Sequence, residues 1–359
     1  MKKLLPMILI LGLLLCACGG TAEETKPSET TAAIATEAPT EPETTEAPAE
    51  ATTEPAQVYF NPLNGTPLEE PYTDRIFSTT INNVSPALPY QGVSQADMLF
   101  EFLINDYATR CLALFTDVRS VPSIGSIRSA RLNNVDLCQA YNAVFGHAGY
   151  GRQVQSTLNS RGVDHLHLVN TAGYRDQGRL DSGYDWEHTL FVKGQAFYDA
   201  AEKAGYELTQ PADKDYGLRF TEDGTPANGE TAKEVNISFW GKMTHFYFNE
   251  NTGKYDLYLH GSYVIDENND EQIAFQNLIV MKCQVSNKQI DGELYHYAEV
   301  QGSGDGYFAC NGKIVPIKWI HENQADPFTF TLADGSPLEL GVGNTYVALA
   351  PIESEFTYE

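Results

Sequence analysis

Apolar side chains follow three regimes along this chain. Leu4 to Leu15 is an apolar run of about twelve residues, short of the roughly 20 that a bilayer-spanning helix needs. From Gly19 to about Gln57, Thr, Glu, Pro and Ala replace nearly every large apolar residue. Such a segment cannot bury enough surface to offset its ordering entropy, so it is expected to act as a disordered tether. After Val58 the apolar positions return with regular periods.

Within 58–220 the pattern mixes strands and helices. Ile76 to Ile81 is expected as a strand, followed by an irregular loop at Pro86, Pro89 and Gly92. Ser94 to Asp97 has capping-box spacing. Met98–Ile104 and Thr109–Val118 follow as strands that turn at 105–108. Leu132, Val135 and Leu137-Cys138 recur at helical spacing, predicting a helix over 128–141. Ala143-Val144-Phe145 is expected as a short strand, a second helix follows Gly151, and a third spans 196–204. Thr221 to Lys233 is polar and carries Pro226 with two glycines, which marks a domain boundary. Beyond it Tyr255, Leu257 and Leu259 alternate with polar positions, and Asn251-Thr252-Gly253, Asn311-Gly312 and Asp334-Gly335 signal hairpins. The expected fold class is α+β: an N-terminal α/β domain with a mixed sheet over 58–220, then a mostly antiparallel β domain over 221–359.

The formal net charge of -25, with no Lys/Arg cluster, excludes nucleic acid as a natural partner. It also disfavours a surface lying flat on anionic lipid.

Chemistry is concentrated in the first domain. Gly125-Ser126-Ile127-Arg128-Ser129-Ala130-Arg131 opens the first predicted helix, so Arg128 and Arg131 would share a face beside unpaired amides and the positive dipole end. An anion would be favoured there, unless Asp97, Glu101, Asp117 or Asp136 already neutralises the pair. His147, with Gly149 and Gly151, lies between a strand and a helix, where backbone amides can approach a ligand. His147 is either a ligand contact, a general acid or base, or a hydrogen-bonded structural residue. His165 and His167 share a strand face, but no spacing matches a metal signature, and no metal or cofactor is expected. Asp266 to Asp270 begins like a calcium loop but lacks its glycine and its final glutamate, and is expected as a solvated turn.

The N-terminus resembles a bacterial lipoprotein signal: Lys2 and Lys3, the apolar run, then Leu15-Cys16-Ala17-Cys18. The resemblance implies a signal peptide over 1–17, acylation of Cys18, a tether over 18–57, and a body on the outer face of the bacterial cytoplasmic membrane. Export permits disulfides. Cys111, Cys138, Cys283 and Cys310 can pair within each domain or remain as core thiols.

From about Val58 onward the chain resembles the DUF3048 lipoproteins. The resemblance rests on Gln91 to Asp97 through Glu101, Thr109-Arg110, Gly125 to Arg131, Val135-Asp136-Leu137 and His147-Ala148-Gly149. It continues through Arg175, Arg179 and Glu187-His188-Thr189, then Asn277 to Val280, Gly302-Ser303-Gly304, Asn311-Gly312-Lys313 with Trp319, and Gly343 to Val347. It departs at Ser126, at Glu187-His188-Thr189 and around Tyr258. It implies a fold and an address, and no reaction.

Three functions are compatible with these features. The first is an anion-binding module for a peptidoglycan or teichoic-acid fragment. Here Arg128 and Arg131 hold the anion, His147, Gly149 and Gly151 orient it, and Glu101 positions the arginines. The second is a hydrolase or transferase on such a polymer, with His147 as base or acid, Asp97 or Glu101 as its partner, and Arg110 and His188 in support. The third is a scaffold for another envelope protein.

Overall fold

The computed structural model describes residues 58–359. The signal region, Cys18 and the tether lie outside the described residues. Among the described residues no helix is long and apolar enough to cross a membrane. The described residues belong to one compact unit.

The principal elements are β1 (Phe77–Asn83), β2 (Met98–Asn105), β3 (Ala108–Phe115), α1 (Leu132–Ala140), β4 (Val144–His147), α2 (Arg152–Ser160), β5 (His165–His167) and α3 (Gly194–Lys203). The second half supplies β6 (Glu234–Phe239), β7 (Lys242–Asn249), β8 (Lys254–Leu259), β9 (Asn277–Cys283), β10 (Val285–Ile290), β11 (Glu293–Ala298), β12 (Gly302–Cys310), β13 (Lys313–His321), β14 (Thr345–Pro351) and β15 (Phe356–Tyr358).

The regions on either side of 221–233 share a sheet. An 11-stranded sheet runs β13-β12-β9-β14-β2-β3-β1-β4-β5, extended by two short strands that pair with β13. The junction is β14, which pairs in parallel with β2 from Thr345↔Met98 to Leu349↔Phe102 and in parallel with β9 on its other edge. The polar stretch therefore does not separate two independent bodies. The sheet is mixed in the N-terminal half, with antiparallel β2-β3-β1 and parallel β1-β4-β5, and largely antiparallel in the C-terminal half. A six-stranded sheet built on β8-β7-β6-β15 packs against it.

Because side chains alternate along a strand, the central sheet feeds two cores. Ile81, Leu99, Leu103, Cys111 and Ala113 join Ile237, Phe246 and Leu257 of the second sheet. Phe100, Phe102, Leu112 and Leu114 join Val135 and Cys138 of α1 and Val154 and Leu158 of α2. The face that meets α1 also carries polar residues: Ser78, Thr80 and Asn82 of β1, and Arg110 of β3, which sits opposite Asn82. That polar end of the face builds the site.

The first helix begins at Leu132, four residues later than the spacing predicts, and Arg131 is its extended N-cap. The reason is tertiary. Ile127 N–H donates to Leu190 O at 2.8 Å, Ala148 N–H to Arg128 O at 2.9 Å and Ala130 N–H to Gly149 O at 2.8 Å, so the strand-like bonds of 127–130 replace helical ones. The four cysteines in the body are separate, buried thiols. Asp266 is fully buried and accepts from the Gly92 and Ser94 amides at 3.0 and 2.8 Å, so the predicted solvated turn is instead an anchor for the 90–94 loop.

α3 lies where its spacing predicts, with Phe197 and Ala201 buried one turn apart. Its first residue, Gly194, packs on the 118–121 backbone, and an added Cβ would overlap the Val118 carbonyl oxygen. Gly194→Ala should therefore destabilise the fold by about 3 kcal/mol or more, because backbone rather than a flexible side chain must move. Urea unfolding tests this, and a loss below about 1 kcal/mol would contradict the packing.

Candidate functional site: an arginine cluster

Arg110 is only 3% exposed, the third residue of β3 and followed there by five apolar residues. Its Nη1 donates to Ser129 O at 2.6 Å, while among the described residues its Nε has no hydrogen-bond partner and no carboxylate forms an ion pair with it, Glu187 acting on it only at longer range. Arg128 and Arg131 face it from the extended segment before α1. Burial first, and then the charges of Arg131 and Arg128, push the Arg110 pKa well below the usual guanidinium range. Arg131 lies 4.4 Å over the Tyr295 ring of β11 and donates to Ala130 O, and its Nε is also unpartnered. Burial and the neighbouring Arg128 charge lower its pKa despite the opposing influence of Tyr295. Arg175 completes the group. Its guanidinium sits 4.2 Å over Trp186 and donates to Trp186 O at 2.7 Å, and burial with the Arg128 charge lowers its pKa.

Glu187 is the one carboxylate paired within this group, 2.9 Å from Arg128 Nη1 and 57% exposed. The Arg128 hydrogen bond holds its carboxyl below the ordinary glutamate range. Next to it, His188 Nδ1 accepts from Asn82 Nδ2 at 2.8 Å, which leaves the proton on Nε2, 3.6 Å from Glu187 Oε1. Burial lowers the His188 pKa, Glu187 opposing and Arg128 reinforcing, so the ring is a neutral donor at the cluster's edge.

The other sequence-predicted site residues are placed differently. His147 is fully buried, its Nδ1 accepting from Gly149 N–H at 3.2 Å and its Nε2 3.0 Å from His165 Nδ1. Both nitrogens are thus engaged, and burial with the flanking His165 and His167 charges lowers its pKa to about 3. It has neither a free lone pair for base catalysis nor a proton to give at neutral pH. His147 packs with Phe145, Tyr150, His165 and His167 as a ring cluster.

The anion that the amides at Gly151 and the start of α2 would attract belongs to the protein. Asp291, in the turn between β10 and β11, accepts from Arg152 N–H at 2.6 Å and pairs with Arg152 Nε at 3.1 Å. Gly149 does border the cluster, with Ser129 Oγ 3.7 Å from where its Cβ would lie.

None of the four acidic candidates pairs with these arginines: Asp136 pairs with Arg161 and Asp117 with Arg119, and Glu101 and Asp97 serve the fold. Glu101 sits opposite Cys111 and Arg110 opposite Phe102, so the two point to opposite faces of the sheet. Glu101 instead pairs with Lys242 of β7 at 2.5 Å and accepts from Thr109, Thr244 and Tyr346. Asp97, at the far end of β2, accepts from Thr116 N–H and Oγ1 at 2.7 and 2.8 Å and from Asn61 and Asn64. Both are fold anchors.

Arg110, Arg128, Arg131 and His188 are therefore brought together, whereas Asp97, Glu101 and His147 are not. The sequence reading missed Arg175, Glu187, Trp186 and Tyr295 as site residues. An arginine among apolar strand residues was the available signal for Arg110. Tyr295 carried none, since it reaches Arg131 only through long-range packing. Guanidinium groups in this arrangement are suited to charge-assisted hydrogen bonding.

Comparison with known proteins agrees with this architecture. Residues 63–207 match the model described as "Protein of unknown function (DUF3048) N-terminal domain", and residues 235–347 match its C-terminal counterpart. The chain is 25% identical over 297 residues to the Bacillus subtilis (strain 168) protein named "Putative lipoprotein YerB", covering 81% of this chain and 86% of that protein. The crystal structure of YerB from Bacillus subtilis superposes with a TM-score of 0.71 at 21% identity, over 83% of this chain and 99% of that one, which establishes a shared fold. The two family matches bracket the polar stretch between the halves and take in both the arginine cluster and the hairpin that covers it, and on that basis this chain belongs to the DUF3048 family.

Proposed function

We propose that this protein is a lipid-anchored envelope protein, tethered through Cys18 on the outer face of the cytoplasmic membrane, whose arginine cluster binds an anionic envelope component such as a peptidoglycan or teichoic-acid fragment. One observation carries the reading. Arg110 is buried, lacks a carboxylate partner and faces two further arginines. Gathering like charges out of water is costly unless an opposite charge arrives, and a protein of net charge -25 has many carboxylates with which it could have neutralised them. The lipoprotein box of the sequence and the name of the Bacillus relative support the address.

Thermal unfolding of the compact unit from residue 56 onward, with a panel of muropeptides and teichoic-acid fragments, tests the proposal. A ligand at about 100 times its Kd adds roughly 2.7 kcal/mol, which raises Tm by several degrees. Arg128→Ala should abolish the shift while leaving the unliganded Tm within about 2 °C, because its ion-pair partner Glu187 is more than half exposed and the pair is worth little. No shift from any anion would overturn the reading.

A further inference from the structure

Resting on that reading, we infer that the cluster is built for a dianionic phosphate monoester, with Glu187 holding the place of the ligand when the site is empty. Four guanidinium groups gather around Arg128, whose charge acts on Arg110, Arg131 and Arg175. Two carboxylates oppose them. Glu187 pairs with Arg128, and Glu293 acts on Arg131 from the β11 side, where it accepts from Tyr295 OH. His188 stands at the edge as a neutral donor. With Glu187 displaced, Glu293 remains and the excess is three positive charges, most of which one phosphate monoester, at about -1.5 to -2 near neutral pH, would neutralise. A carboxylate or a phosphodiester, with one negative charge, would leave most of that excess uncompensated.

The donor inventory agrees. Arg110 Nε and Arg131 Nε are buried with no partner among the described residues. Phosphate oxygens accept several hydrogen bonds each and suit forked guanidinium donors. Glu187 already places an anionic oxygen on Arg128, on a side chain more than half exposed and therefore free to leave. Trp186, 61% exposed beside Arg175, presents a ring next to the anion position for whatever group bears the phosphate.

Isothermal titration of the full chain in detergent would compare four probes: inorganic phosphate, N-acetylglucosamine 1-phosphate, glycerophosphoglycerol as a diester, and N-acetylmuramic acid as a carboxylate. The two monoanionic probes should bind at least tenfold more weakly than N-acetylglucosamine 1-phosphate. If inorganic phosphate matches the sugar phosphate, the dianion alone is recognised. If the sugar phosphate is tighter, Trp186 contributes, and Trp186→Ala should remove the difference.

Glu187→Gln should tighten the sugar phosphate several-fold by removing the internal competitor, and Arg128→Gln should weaken it about tenfold or more. Both positions are partly exposed, so both variants should fold. Equal or tighter binding of the diester or the carboxylate, or weakened binding in Glu187→Gln, would overturn the dianion inference while leaving the anion-binding reading intact. Failure of all four probes would overturn this inference, and the muropeptide and teichoic-acid panel would then decide the broader reading on its own.

Discussion

Lys242→Met is expected to lower stability at pH 7 by about 3–5 kcal/mol, the cost of stranding one member of a buried ion pair. Glu101 and Lys242 are 1% and 5% exposed and sit between the two sheets, with the Lys242 ammonium 2.5 Å from the carboxylate. Thr109, Thr244 and Tyr346 donate to the same carboxylate, so without Lys242 a charge remains that hydroxyls alone must solvate. Burial by itself raises the Glu101 pKa, but the Lys242 charge and the hydrogen bonds outweigh it, and the net pKa is lowered.

The sign of the pH dependence follows. In the native protein this carboxyl is more acidic than in the unfolded chain, so its contribution is present above about pH 4.5 and is lost as pH falls through the folded value. In Lys242→Met burial would dominate and the sign would reverse. The stability gap between the two proteins should therefore narrow from pH 7 to pH 4.5. Urea unfolding across that range checks both claims, and a gap below about 1 kcal/mol at pH 7, or one that widens on acidification, would contradict them.

The second large effect is acid destabilisation through the histidine cluster. With the folded His147 pKa lowered to about 3, the unfolded chain binds the proton first, near pH 6.5. Folding stability is then complete above pH 6.5 and falls as pH drops between 6.5 and 3. Between pH 7 and pH 5 the loss from this one residue is about 2 kcal/mol. His165, His188 and His260 also have lowered pKa values, caused first by burial, and act in the same direction. The native chain should lose at least that amount over this range, where most carboxylates stay ionised. His147→Asn should show a smaller slope, whatever its absolute stability. A stability independent of pH from 7 to 5 would contradict the buried neutral imidazole.

Much of the local structure was legible because it depends on neighbours in the chain. The β2-β3 hairpin turns where Asn105-Asp106-Tyr107-Ala108 interrupts two apolar runs, and α3 follows its apolar spacing to within two residues at its start. Arg128 and Arg131 were legible as a charge problem seeking an anion, although the reason assigned to them, a shared helix face, was not the right one. The 127–130 backbone is held extended by Leu190, Gly149 and Ala148. Those bonds come from residues 18 or more positions away, and no helical periodicity reports them.

The sequence by itself determined the family, the Thr, Glu, Pro and Ala composition of 19–57, the mixed and antiparallel character of the two halves, and the close spacing of Arg128 and Arg131. These follow from local composition, short-range periodicity and motif identity. Tertiary structure decided which charges meet. Glu101 was assigned to the arginines but belongs to Lys242, 141 residues away, because alternation on β2 and β3 sends it to the opposite face of the sheet. The anion at the start of α2 is Asp291, 139 residues from Arg152. Arg131 is covered by Tyr295 of a hairpin from the other half of the chain. Coulomb and hydrogen-bond energies depend on distances of a few ångströms, and only the folded chain sets those between residues so far apart in sequence.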